Sequence, residues 1–593
     1  LEIRVFKPYS NNGDDKMKKL FTFLVTSIVL LLLLMGCAPQ PTQPVQEEAP
    51  PTEVPAEPTE APAEPIEAPA EPEEPAEEPA EPAESPAEPV SFHYAFLIEP
   101  PGIDPGVSQG SVQSTLYAAL YEGLVTVDDK GNIVPGAAES WEVSEDGTEY
   151  TFHLREGLKW SDGEPLTAKD FEYSWLRTLK PETASTYSWF VEMFIFNSTA
   201  FAQGEVGAEE VGIKATDDLT LEVKLNMPAA YFTQALLGGV WYPVREDMVE
   251  ADPEKWPFNA ETAISNGPFK FTEYKIGAYI TAEKNEYYWD ADSITIDNLR
   301  FSFIGDENTA YSAFIAGDVD GIAGVPSTEL INLLATDDRL NPYDQLRISF
   351  LRLNNETPGL DNQKVRRAIN LAIDRKGYLD GLGNITSKPV FGTVPGGLIL
   401  DGKDFREVSG DNGLTATAQV EEAQALLADA GYPNGEGLPV YRLHTFENWA
   451  KDAEIIQQML LINLGIQTEI QSVDSKVFFP MIIDGEYDIA FGGWGGDYVH
   501  PMTFFDLFTS TAYDNATRWA NPEYDELINQ ARVATDEAVA LDLMVQAEHL
   551  LMEESPIVPL IVPASAIMIQ DYVTNWFISP LDTLYISRAV VTK

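Results

Sequence analysis

The residues best placed for chemistry lie in one loop, Phe491-Gly-Gly-Trp-Gly-Gly-Asp-Tyr-Val-His-Pro501, where four glycines surround Trp494 and the acid Asp497 follows. Glycine lacks a Cβ, so Gly493 and Gly495 let another backbone approach as closely as main-chain pairing with an extended peptide requires. The same residues also satisfy a tight turn in which Trp494 enters the core and Asp497 closes the turn. Either way the chemistry on offer is binding. The five histidines, His93, His153, His444, His500 and His549, include no pair at metal-ligand spacing. A lone cysteine, Cys37, excludes an intrachain disulfide framework and a cysteine-based zinc site. No nucleophile elbow, zinc motif or Walker phosphate loop occurs. The 95 acidic residues guarantee chance carboxylate pairs, and none stands out as the pair of a hydrolase. No catalytic residue, metal or cofactor is expected.

Such a loop needs a rigid body to hold it, and the periodicities supply α/β elements. Tyr150, Phe152 and Leu154 alternate as on a half-buried strand, ahead of a Gly-Leu-Lys-Trp-Ser-Asp-Gly turn region. Thr167 and Asp170 then fit a capping box, with Phe171, Trp175, Leu176 and Leu179 on one helical face. Leu124-Val-Thr-Val and Ile133-Val predict a hairpin around an Asp/Gly/Asn turn. Leu219 to Leu225 and Phe269 to Tyr274 predict strands. Val365, Ala368, Ile369, Ala372 and Ile373 keep a helical period, as do Val420, Ala423, Leu426, Leu427 and Ala430 before a stop at Gly431. Asn521-Pro522 is a cap followed by proline in the first helical position.

At 593 residues the chain exceeds what one hydrophobic core supports, so two or more lobes are expected. The formal net charge of -58 argues against nucleic-acid binding, which needs a basic field. Partners should be neutral or cationic, unless the acidic surface serves solubility alone.

Lys16, Lys18 and Lys19 precede an apolar run from Leu20 to Met35, then Gly36 and Cys37. This pattern is that of a secretion signal, and the run is short for a bilayer span of about 20 residues. Leu34-Met-Gly-Cys37 resembles a bacterial lipobox, which makes Cys37 the expected lipidated N-terminus, and Met17 the expected biological start. Residues 38–90 repeat Pro, Ala and Glu. They are expected to form an extended, disordered spacer between the signal region, residues 1–37, and a folded body of residues 91–593.

The block from Glu145 to Arg177 resembles the signature segment of extracellular solute-binding protein family 5, which serves peptide and nickel ABC importers, with oligopeptide binders nearest. Further ordered matches include Glu99-Pro-Pro-Gly-Ile-Asp-Pro, Tyr121-Glu-Gly-Leu-Val, Asn266-Gly-Pro-Phe-Lys-Phe, Val365-Arg-Arg-Ala-Ile-Asn-Leu-Ala-Ile-Asp-Arg and Gly492-Gly-Trp-Gly-Gly-Asp-Tyr. The resemblance implies a bilobal α/β periplasmic-binding-protein-like fold (type II, cluster C), with an extra subdomain and a hinged ligand cleft. By order along the chain, lobe I would take about 91–124, 261–345 and 558–593, the subdomain about 125–260 and lobe II about 346–557. Strands near Arg347 to Leu353 and Pro556 to Val562 would cross the hinge.

The function so implied is a lipid-anchored, monomeric receptor outside the cytoplasm, in the periplasmic space or on the outer face of the membrane. It would capture peptides and deliver them to a membrane permease whose ATPase is a separate chain. Oligosaccharides, opines and nickel chelates are alternative solutes for the same fold, and a secreted hydrolase, chaperone or sensor subunit is the reading from other classes. By residue, Asp497 would pair with the ligand's α-ammonium group, Trp494, Gly493 and Gly495 would line the groove, and Tyr187 would face the ligand or serve packing. Arg352 stands where an acidic residue faces a ligand side chain, or is a salt-bridged hinge residue. Phe491 replaces an arginine that meets the ligand's C-terminal carboxylate. With no other basic residue expected near the loop, the ligand's far end should reach water and several lengths should bind.

Overall fold

The computed structural model describes residues 88–128, 130–446, 449–512 and 515–593. Cys37, the signal region and nearly all of the Pro/Ala/Glu stretch lie outside the described residues. The folded body contains three principal sheets. The largest has seven strands, in the order Leu340–Asp344, Ala564–Ile569, Gly321–Ala323, Ser91–Phe96, Asn298–Phe303, Tyr279–Lys284 and Phe269–Lys275. Ser91–Phe96 pairs in parallel with both its neighbours. Its alternation decides which core each residue enters: Phe92, Tyr94 and Phe96 bury on one face, and Ala95 joins Phe314 and Ile322 on the other.

A six-stranded sheet follows the order Lys388–Pro389, Ile557–Val562, Arg347–Leu353, Ile489–Gly495, Tyr441–Phe446 and Thr468–Val473. Every residue of Ile557–Val562 is buried, as expected for an inner strand covered on both faces. One covering layer is helical. Gln363–Ala372, Val420–Asp429 and Ala450–Leu464 bring Val365, Ile369, Leu427 and Leu460 against Leu351, Leu353 and Phe491. The chain passes between the two large sheets twice, at Gln345-Leu346 and at Pro563. The Gln345 N–H donates to the Pro563 carbonyl at 3.1 Å, so the two crossings are tied together.

The third sheet has four antiparallel strands, Ala138–Val143, Glu149–Leu154, Thr220–Lys224 and Ile213–Ala215. Helix Ala168–Leu179 packs on it through Phe171 and Trp175, both fully buried. Its start is the predicted capping box, in which the Thr167 N–H donates to Asp170 Oδ2 at 2.7 Å. The predicted hairpin is present as Val125–Val127 paired with Ile133–Pro135. Asn521 accepts from the N–H groups of Glu523 and Tyr524, and so caps helix Pro522–Val533. Among the described residues no helix is long and apolar enough to cross a membrane, and no group of three or more His, Cys, Asp or Glu side chains could hold a metal ion.

Candidate ligand-binding site

The glycine-rich segment is a strand with one edge occupied and one largely open. Ile489–Gly495 pairs antiparallel along its whole length with Arg347–Leu353, from Leu353 opposite Ile489 to Arg347 opposite Gly495. Its other edge meets Tyr441–Phe446 only at Ile489 and Ala490. From Phe491 to Gly495 no strand of the described residues covers that edge. The main-chain donors and acceptors facing it form a template for one more extended segment.

Residues directly opposite in a sheet share a face, and successive residues alternate. Ala490, Gly492 and Trp494 therefore share one face with Arg352, Phe350 and Ile348. Phe491, Gly493 and Gly495 share the other with Leu351, Ser349 and Arg347. Phe491 is 2% exposed and packs edge-on to Trp449, with ring centroids 6.1 Å apart, inside the helical core. It does not form the far end of a cleft. The expectation that no other basic residue lies near the loop is also overturned. The Arg352 guanidinium covers the Cα of Gly492 so closely that a Cβ there would collide with Nη1, and Arg347 Nη2 would lie 3.2 Å from a Cβ on Gly495. Arg352 also stacks its guanidinium on Phe350, 4.9 Å from the ring centroid.

The glycines have a local cause that the sequence did not reveal. A Cβ on Gly493 would stand 2.9 Å from the Ile348 carbonyl oxygen, and one on Gly496 would meet Leu346 Cδ2 at 2.7 Å. The close approach is thus made first by the chain's own neighbouring strand. Trp494 packs half-buried against the core shared by the four-stranded sheet and the six-stranded one, and its indole Nε1 is buried with no hydrogen-bond partner. A buried unmade donor of this kind is costly unless an acceptor reaches it.

Beyond the strand the loop docks on aromatic residues from the segment 125–260. Tyr187 Oη donates to Asp497 Oδ1 at 3.3 Å, and the Asp497 N–H donates to Thr503 Oγ1 at 3.0 Å. Tyr187 is itself held by Trp189 and Phe190, with ring centroids at 5.4 and 6.4 Å. Tyr498 stacks on Tyr231 at 5.1 Å and donates its hydroxyl to Asp506, which pairs with Arg532. His500 stacks on the other part of the cluster, 4.7 Å from Tyr231. Burial pushes the His500 imidazole down to about 3, so it stays neutral, with Nδ1 accepting from the Met502 N–H. The structure thus brings Gly493, Trp494, Gly495, Asp497, Tyr187 and Arg352 to one strand and its margins. Sequence reasoning missed Arg347 and the Tyr231–His500 stack. Strand parity offered a signal for Phe491, since it lies three positions from Trp494 and must face the opposite way.

A perturbed carboxyl belongs to a different cluster. Glu122 is buried, accepts from Tyr288 Oη and from Trp289 Nε1 at 2.5 Å, and lines a small pocket of about 70 Å³. Burial outweighs these donors and pushes its carboxyl up to about 7.

Two large sheets joined by paired crossings, and an open strand edge ending in an acid, define a bilobal binding protein of type II architecture. The solved structures agree. An oligopeptide-binding protein of Borrelia burgdorferi superposes with a TM-score of 0.72 at 30% identity, over 85% of this chain and 100% of that one. Listeria monocytogenes OppA bound to peptide gives 0.70 at 30% identity, over 86% and 100%. The dipeptide-binding protein DppE of Bacillus subtilis is 36% identical over 464 residues, 78% of this chain and 84% of the relative. The family model for bacterial extracellular solute-binding proteins, family 5 (Middle), matches residues 132–516. The chain belongs to this family.

Proposed function

We propose that this protein is the peptide-capturing receptor of an ABC importer, tethered outside the cytoplasm through a lipid on Cys37. The observation that carries the peptide reading is the edge from Phe491 to Gly495, which no strand of the described residues covers and which leads directly to Asp497. An extended peptide adds to such an edge through its main chain, whatever its side chains, and its α-ammonium group finds a carboxylate at the end. A sugar or a metal chelate carries no row of alternating N–H and C=O groups at the strand repeat to match such an edge. Trp494 Nε1 is a further donor at the margin of the same strand. The names of the relatives, dipeptide-binding and oligopeptide-binding, fit this class of ligand.

In this reading lobe I takes about 91–124, 261–345 and 558–593, the subdomain about 125–260 and lobe II about 346–557. Ligand closes the lobes about the Gln345-Leu346 and Pro563 crossings, and the closed monomer docks on a permease served by separate ATPase chains. The receptor turns nothing over. Native mass spectrometry of purified protein with identification of any co-purified ligand, followed by calorimetry with di- to hexapeptides, tests the reading. Bound or titratable peptide is expected; saturable binding of oligosaccharides with no response to peptides would reject it. For the anchor, Cys37→Ala should release the protein from the membrane fraction or stall its processing, and unchanged fractionation would rule the tether out.

A further inference from the structure

His500 stands three positions beyond Asp497, on a loop that meets segment 125–260 through stacked rings. We infer that the stack of His500 and Tyr498 on Tyr231 is a latch over bound peptide, and that it closes only on a neutral imidazole, so that acid releases the ligand; this rests on the peptide reading above.

The place of the latch follows from how the segment is attached. Segment 125–260 is fastened to residues of lobe I: Arg177 and Asp104 form a buried ion pair at 2.6 Å, and the Ser161 N–H donates to the Ser265 carbonyl at 2.8 Å. The Arg155 guanidinium adds a third tie, 3.8 Å from the Trp289 ring centroid. The loop 496–508 belongs to lobe II, which the chain enters at Gln345-Leu346 and leaves at Pro563. Rotation about those crossings carries Tyr498 and His500 away from Tyr231 and leaves the three ties intact. In the structure both rings lie nearly parallel to Tyr231, Tyr498 at 5.1 Å and 8°, His500 at 4.7 Å and 19°. The loop is braced within itself, the Asp497 N–H donating to Thr503 Oγ1 at 3.0 Å and the His500 N–H to the Tyr498 carbonyl at 2.9 Å. Rings and acid therefore move together, and docking the rings brings Asp497 to Tyr187.

The imidazole makes this docking depend on pH. With the ring held against Tyr231, its Nδ1 accepts from the Met502 N–H at 3.2 Å, and a proton on that nitrogen would set donor against donor. Among the described residues no carboxylate bonds to the ring to offset the charge. The charged groups around the cluster are engaged elsewhere: Asp506 pairs with Arg532 and accepts from Tyr498, and Asp497 accepts from Tyr187. The remaining titratable groups are the Tyr231 and Tyr498 phenols, which burial pushes up, so they stay neutral. In the docked loop, loss of water around the ring holds the imidazole down to about 3. Swung clear of Tyr231, the ring can turn to water, where an ordinary histidine takes its proton near about 6.5. The proton thus binds the open form more tightly. Closure is unhindered above about pH 6.5, and below it each pH unit weakens the ligand by up to about tenfold.

The test follows one imidazole and one affinity through the same pH range. Alanine peptides of two to six residues are first titrated at pH 7.5, and the tightest binder is carried forward. Imidazole NMR of the parent protein is then recorded from pH 8 to pH 5 with and without that peptide. His500 is assigned by the signal missing from His500→Asn, which keeps an acceptor for the Met502 N–H, or from His500→Phe, which keeps a ring on Tyr231. Without peptide His500 should titrate near about 6.5, and with saturating peptide it should stay neutral to pH 5. By calorimetry the parent should lose at least fivefold in affinity from pH 7 to pH 5, and either variant less than twofold. Circular dichroism confirms that the variants are folded. If His500 stays neutral to pH 5 without peptide, the stack is a permanent joint, and the inference falls while the peptide reading stands. If both variants lose affinity in acid as steeply as the parent, another group senses the proton and the inference falls. If no peptide binds the parent at pH 7.5, the peptide reading fails and takes this inference with it.

Discussion

Tyr187 Oη stands 3.3 Å from Asp497 Oδ1, joining two residues 310 positions apart in sequence. The acid at the end of the open strand edge is therefore aimed by a side chain from the segment 125–260, and that side chain is fixed by Trp189 and Phe190. Removing only the hydroxyl separates aiming from packing. At 3.3 Å the bond is long for a charge-assisted one, so Tyr187→Phe should weaken peptide binding by about 1 kcal/mol, roughly fivefold. The melting temperature should shift by less than about 2 °C, because the ring contacts persist. Calorimetry and thermal melting of the variant check both figures, and an undiminished affinity would show that Asp497 needs no such guide.

Asp497 itself carries a larger prediction. A buried charge pair deprived of one partner typically costs about 2–5 kcal/mol, so Asp497→Asn should weaken binding of free peptides by tens- to thousands-fold. N-terminal acetylation of the peptide should cost the parent protein a similar factor and the variant little more. Equal affinity of the parent for acetylated and free peptides would remove Asp497 from the amine-binding role.

How far the sequence discloses this site depends on the range over which each feature is decided. The capping box of Thr167 and Asp170, the cap at Asn521 and the hairpin from Val125 to Pro135 are settled by neighbours within a few residues, and each is legible in the sequence. The pairing of Arg347–Leu353 with Ile489–Gly495 joins segments over a hundred residues apart. Nothing local encodes it. For that reason the four glycines read only as room for a ligand, although Ile348, Leu346, Arg347 and Arg352 also approach them closely. The reading of Phe491 failed differently, since it compared residue types at one position and ignored which face of the strand that position presents.

Glu122 offers a titration away from the loop. Its folded-state carboxyl is raised to about 7 against 4.5 for the ordinary group, so the folded protein holds the proton more tightly than the unfolded chain. The stability this contributes is fully present below about pH 4.5 and is lost as pH rises through about 7, by up to about 3 kcal/mol. Glu122→Gln cannot ionise and should lose nothing over that interval. The melting temperature of the variant minus that of the parent should therefore increase between pH 5 and pH 8. A difference that stays constant with pH would mean that Glu122 is ionised in the folded protein throughout.

The two adjacent glycines of the strand should respond to alanine in opposite ways. At Gly492 the nearest obstacle is the end of a long side chain, Arg352, with the Phe350 ring at 3.2 Å, and a side-chain tip shifts at less cost than a backbone does. At Gly493 it is a backbone carbonyl, that of Ile348 at 2.9 Å, which belongs to a fully paired ladder and cannot move without it. Gly493→Ala should accordingly destabilise the body by about 1–3 kcal/mol, in the range of overpacking, while Gly492→Ala should melt within a few degrees of the parent. Thermal melting of both variants decides the matter: an alanine at 492 that unfolds the protein would place Arg352 among its rigid supports, and one at 493 that melts with the parent would show that the Ile348 carbonyl can give way.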